Sequence, residues 1–125
     1  MLQNGGTVEN DADIGLSTLI SKNVLVDGRR TSMRLEPAMW DALGQIAARE
    51  NLTIHQICGI VNGHRVDTSL TSATRVFILG YFRVLAENLE REPSGGRDNS
   101  IIHRVFRQTA EFRSTPQQGR YAGSL

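Results

Sequence analysis

The chain has 125 residues, with 14 Lys and Arg against 13 Asp and Glu, so it fits one small domain with tails, and composition alone announces no nucleic-acid binder. A single cysteine, Cys58, excludes an internal disulfide and fits a reducing compartment. No basic leader followed by an apolar stretch opens the chain, and no segment is long enough to span a bilayer, so a cytoplasmic protein without a membrane partner is expected.

Residues 1–26 are expected to form a flexible, acidic arm. Gly5-Gly6, Asn10-Asp11 and Gly15 interrupt any period, and Glu9, Asp11 and Asp13 precede Lys22, the first base. Ile14, Leu16, Leu19 and Ile20 fit at most a short helical turn after a cap at Asp13. Asn23-Val24-Leu25-Val26 then closes on Asp27-Gly28, a turn signal compatible with a short strand and a hairpin.

The next segment alternates. Arg30, Ser32 and Arg34 fall on one face of a strand, and Thr31, Met33 and Leu35 on the other. No convincing strand follows it, so its expected partner is the same strand of a second copy; the hairpin across Asp27-Gly28 is the alternative.

From Pro37 the period becomes helical, with proline at a first-turn position where its missing N–H costs nothing. Met39, Trp40, Leu43, Ile46 and Ala47 share a face, and Asn51 suits a left-handed helix end. Thr53 caps a second helix through Ile54, Ile57, Ile60 and Val61. Asn62-Gly63-His64-Arg65 interrupts it, and Thr68-Ser69 or Thr71 starts a third helix reaching Leu89. That helix is apolar almost all round its first three turns, which calls for cover from several sides, and a second subunit is the expected source. Pro93-Ser94-Gly95-Gly96 is a break before a candidate amphipathic helix over residues 101–112, and the Gly-, Gln- and Ser-rich end is expected to be disordered.

In order and spacing, the strand Arg30 to Leu35, the helix after Pro37, the Glu50-Asn51-Leu52-Thr53 turn and the helix from Thr53 resemble the ribbon-helix-helix family of DNA-binding proteins. Within it, Arg30-Thr31-Ser32, Leu35-Glu36-Pro37, Trp40-Asp41-Ala42-Leu43 and the late Leu70 to Phe77 run look like a bacterial subgroup with an extended, split second helix. The resemblance implies a mostly α fold, an intertwined homodimer joined by an intermolecular antiparallel two-stranded β-ribbon. It also implies a domain over residues 27–91, with residues 92–125 as a flexible extension.

The function that follows from the resemblance is transcription regulation by insertion of the ribbon into the major groove of double-stranded DNA. Bases would be contacted by Arg30, Ser32 and Arg34, and the backbone by Arg29 and by Thr53 and Ile54 at a helix start. Met33, Leu35, Trp40, Leu43, Ile57 and Phe77 would form the dimer core, with higher-order assembly on DNA a further expectation. A rival register treats residues 52–69 as an insertion and makes Thr71-Ser72 the phosphate-binding cap. The chemistry is consistent: the groove admits a two-stranded ribbon, and arginine donates two hydrogen bonds to guanine.

Other chemistries fit less well. His55 and Cys58 lie one helical turn apart, but with His64 they match no zinc spacing, so no metal and no cofactor are expected. No nucleophile, base and oxyanion donor can be assembled, so the chain does not read as an enzyme. Two alternatives come from other classes: an antitoxin-like protein whose residues 97–125 bind a protein partner, and a dimeric adaptor without DNA binding.

Overall fold

The computed structural model describes residues 18–90 and 101–117. The helical turn after Asp13, the Pro93–Gly96 break and the end of the tail lie outside those residues. The order is strand β1 (Ile20–Val26), strand β2 (Arg29–Leu35), then helices α1 (Pro37–Glu50), α2 (Ile54–His64), α3 (Leu70–Glu90) and α4 (Ile102–Gln108).

The two strands form one antiparallel hairpin. Its two-residue turn has positive φ at both positions, 54° at Asp27 and 82° at Gly28. That conformation matches the strands' own twist, and Asp-Gly is among the few sequences that adopt it readily. A two-stranded antiparallel ribbon followed by helices is therefore present. Within the chain the partner of β2 is Ile20–Val26, a stretch that reads by sequence as part of the arm, joined through the hairpin across Asp27-Gly28 that is the alternative expectation. Alternation is legible in β1 only once Val24 and Val26 are seen to point inward; Leu25 between them hid it by making the run look uniformly apolar.

Pairing of Ile20 with Leu35, Lys22 with Met33 and Val24 with Thr31 sets the face that packs on the helices. Val24, Val26, Met33 and Leu35 are buried there. Trp40 of α1 fixes the near end, donating its indole N–H to the Ile20 carbonyl at 2.8 Å, with the Lys22 ammonium 5.1 Å from the ring centroid. α1 begins at Pro37 and ends at Asn51, whose left-handed backbone (φ 60°, ψ 43°) turns its N–H back to the Ala47 and Ala48 carbonyls. The link between α2 and α3 is held locally: Arg65 donates to the Asn62 side chain at 2.7 Å and to the Thr68 carbonyl. Ser69 caps α3, accepting from the Ser72 N–H at 3.0 Å.

Part of the cover for α3 comes from the chain itself. Ile101, Ile102, Val105 and Phe106 are buried against the core, and the Phe106 ring lies 5.6 Å from Phe77 and 3.8 Å from His64, nearly parallel to the latter. Gly80 makes this approach possible, because a Cβ there would stand 2.9 Å from Val105 Cγ1 and 3.2 Å from Thr109 Oγ1. Tyr81, fully buried in α3, donates its hydroxyl to Glu50 Oε2 at 2.6 Å, and burial together with that carboxylate pushes its ionisation up. Beyond α4, Phe112 pairs with Arg65 in an isolated bridge, and Gln117 N–H reaches the Gly63 carbonyl at 2.8 Å. The candidate helix over 101–112 is thus shorter than expected, and its apolar face is spent on α3 rather than left for a partner.

Met33, Leu35, Trp40, Leu43, Ile57 and Phe77, the residues expected at a dimer core, are all buried in the core of the chain itself. β1 and α4 cover part of this apolar surface, while Leu79 and Leu89 of α3 remain exposed. Each large apolar side chain so buried contributes about 1.5–3 kcal/mol. Filling the α3–α4 contact should therefore be costly. Gly80→Leu is expected to lower stability by about 1–3 kcal/mol through overpacking, read as a reduced urea midpoint.

Candidate nucleic-acid interface

With Val24, Val26, Met33 and Leu35 turned inward, the period of two forces Arg30, Ser32 and Arg34 outward, and all three are exposed. The hairpin register adds β1 residues to that face: Ser21 stands opposite Arg34, Asn23 opposite Ser32, and Leu25 opposite Arg30. All are exposed. Val26 and Arg29, flanking the tight turn, make a hydrogen-bonded pair, so the three outward pairs are of the closer, non-hydrogen-bonded kind, with Cα atoms about 4.5 Å apart. The Leu25 N–H accordingly points away from β2 and donates to His55 Nδ1 at 3.0 Å.

The outward face is basic through Arg30 and Arg34, and Arg29 adds a charge beside the turn on the other face. Asp27 is engaged by the Asn62 amide at 3.0 Å, at the tip of the hairpin. Glu36, just after β2, pairs instead with Arg75 of α3 at 3.2 Å. Along β2, side chains two residues apart are separated by about 6.8 Å, or two base-pair steps of B-DNA.

α2 begins beside this hairpin. Thr53 accepts from the Gln56 N–H at 3.0 Å and donates its own N–H to Gln56 Oε1 at 2.8 Å, a reciprocal cap. The cap engages the N–H groups of Thr53 and Gln56, so the outward-pointing donors of the first turn are those of Ile54 and His55. The His55–Leu25 bond ties this turn to the edge of β1. Thr71, by contrast, lies inside α3, whose cap is Ser69, so the rival register with a Thr71-Ser72 cap is not the one adopted.

Residues 19–82 match the family described as "Ribbon-helix-helix domain", just over half of the chain. The chain belongs to the ribbon-helix-helix family. Members of that family are generally DNA-binding regulators, and nothing in the described residues suggests catalysis. Among solved structures, the ribbon-helix-helix chain is similar to an uncharacterized protein from Bordetella pertussis Tohama I, with 28% identity and a TM-score of 0.49. That match covers 62% of this chain and 66% of the other, just under two thirds of its length. A search of curated proteins gave no match.

The histidines and the cysteine are dispersed among separate tasks. His55 accepts from the β1 edge, His64 stacks on Phe106 with its Nδ1 2.7 Å from the Arg113 carbonyl oxygen, and Cys58 is fully buried between them in sequence. The role of His55 at the strand edge carried no sequence signal, since it depends on where β1 lies. Burial pushes the Cys58 thiol up to about 11. The native protein should therefore react very slowly with an aromatic disulfide reagent at pH 8, and one thiol per chain should react promptly in urea. The capping box predicts a second outcome: Thr53→Ala should cost about 1 kcal/mol in chemical denaturation, and Thr53→Ser very little.

Proposed function

We propose that the protein is a sequence-specific DNA-binding transcription regulator that inserts its β-hairpin into the major groove. The observation that carries this reading is that Arg30, Ser32 and Arg34 share one exposed face of a two-stranded ribbon. B-DNA's major groove is wide enough for such a ribbon, and each bidentate arginine–guanine pair contributes about 1–3 kcal/mol of discrimination. Serine, being short, reads less selectively. Arg29 at the turn and the Ile54 N–H at the Thr53-capped start of α2 are the proposed phosphate contacts, where the helix dipole adds partial positive charge.

The active unit in this reading is a homodimer that presents one hairpin per chain to a two-fold related site. The pairing of strands between copies that the sequence suggested is not needed to build a ribbon, because each chain carries its own. A partner-binding tail finds less support, since α4 already lies on α3.

The test is a titration of purified protein against duplex DNA from upstream of its own gene and against random DNA, at two salt concentrations. The expected outcome is preference for the upstream DNA, affinity that falls with salt, and loss of the preference in the Arg30→Ala/Arg34→Ala variant. Sedimentation should show two chains per site. Equal affinity of wild type and variant for every duplex would remove the hairpin as the reading surface.

A further inference from the structure

The base contacts proposed for the inserted ribbon all come from β2, yet the hairpin places three more side chains on the same face. We propose that β1 reads bases as well: Asn23 recognises an adenine, and Leu25 packs on the methyl group of a thymine beside the guanines read by arginine. This rests on the hairpin being the DNA-reading surface.

Three observations carry it. First, the register sets Asn23 directly across from Ser32 in a close, non-hydrogen-bonded pair, so both project from the middle of the ribbon. The longer asparagine reaches further from the sheet than the serine. Ser32, moreover, has its hydroxyl 3.0 Å from that of Ser21, which ties the short side chain down to the ribbon surface. Second, the Asn23 amide has no hydrogen-bond partner among the described residues, leaving its two donors and its acceptor oxygen available. A donor and an acceptor in that planar arrangement match N7 and N6 of adenine, a pattern guanine does not present.

Third, Leu25 is 49% exposed on an otherwise polar face. Its neighbours on the same strand, Val24 and Val26, supply the inward apolar contacts, and Leu25 stands outside the core cluster, at the rim of an open groove shared with Leu52, His55 and Ile60. An outward leucine opposite Arg30 has an apolar counterpart in the groove, the C5-methyl of thymine. The hairpin therefore forms a two-by-three array in which guanine, adenine and thymine contacts can all be made by one chain. The arginines of β2 provide the guanine contacts and β1 the rest.

The experiment is selection from a library of duplexes with a randomised central region, followed by sequencing of the bound pool, for wild type, Asn23→Ala, Leu25→Ala and Arg30→Ala/Arg34→Ala. All three variants alter exposed side chains, and thermal melting checks that each is folded. Wild type is expected to enrich guanines together with at least one fixed adenine. Asn23→Ala should keep the guanines and lose preference for that adenine by about 5- to 150-fold, and Leu25→Ala should relax a thymine position. The double arginine variant should lose the guanines. If Asn23→Ala and Leu25→Ala return the wild-type motif while the arginine variant does not, β1 does not read bases and the proposal falls, with the hairpin still the reading surface. If wild type enriches no motif, the DNA-reading assignment itself fails and this proposal with it.

Discussion

Everything else in this molecule depends on the turn at Asp27-Gly28. Two residues with positive φ bring Ile20–Val26 alongside Arg29–Leu35 and lock a register in which a one-residue slip would reverse both faces. With that register, four apolar side chains enter the core and six others are left on the outside. The same constraint thus makes the floor of the hydrophobic interior and the exposed surface on which function is proposed. Neither could be altered independently, because on a strand they are consecutive residues.

The hairpin is held from three directions. Trp40 clamps the Ile20 carbonyl, His55 accepts the Leu25 N–H, and the Asn62 amide meets the Asp27 carboxylate at the tip. Two of these contacts come from α2, which runs along β1. The start of α2 is therefore fixed relative to the outward face, as a phosphate clamp beside a groove-inserted ribbon requires. An isolated two-stranded hairpin is marginal in water, so this backing by helices is also what keeps the surface formed.

The helical half solves a problem of size. A small domain buries a limited fraction of its surface, and α3 is too apolar to be covered by α1 and α2 alone. The segment from Ile101 meets part of that demand by placing α4 on α3 where Gly80 allows close approach. His64 and Phe106 stack at the other side of this contact, so the C-terminal segment is joined to α2 as well as to α3. The extension is structural cover for the family domain, which ends by sequence match at residue 82.

Much of this was legible in the residues themselves. The period of two from Arg30 to Leu35, proline at the start of α1, Asn51 at its end and Thr53 as a cap are local signals, decided by backbone sterics and hydrogen bonding within a few residues. They set the candidate face and the order of elements. What local signals could not decide was which surfaces meet. The partner of β2, the cover of α3 and the placement of the six core residues within one chain depend on contacts between segments far apart in sequence. The Asp27-Gly28 turn was visible, but only packing of Val24 and Val26 against α2 makes Ile20–Val26 a strand, and only that strand brings Asn23 and Leu25 beside the arginines. Sequence determined the chemistry each face would carry; tertiary structure decided which faces are shared, because burial is a property of the assembled chain.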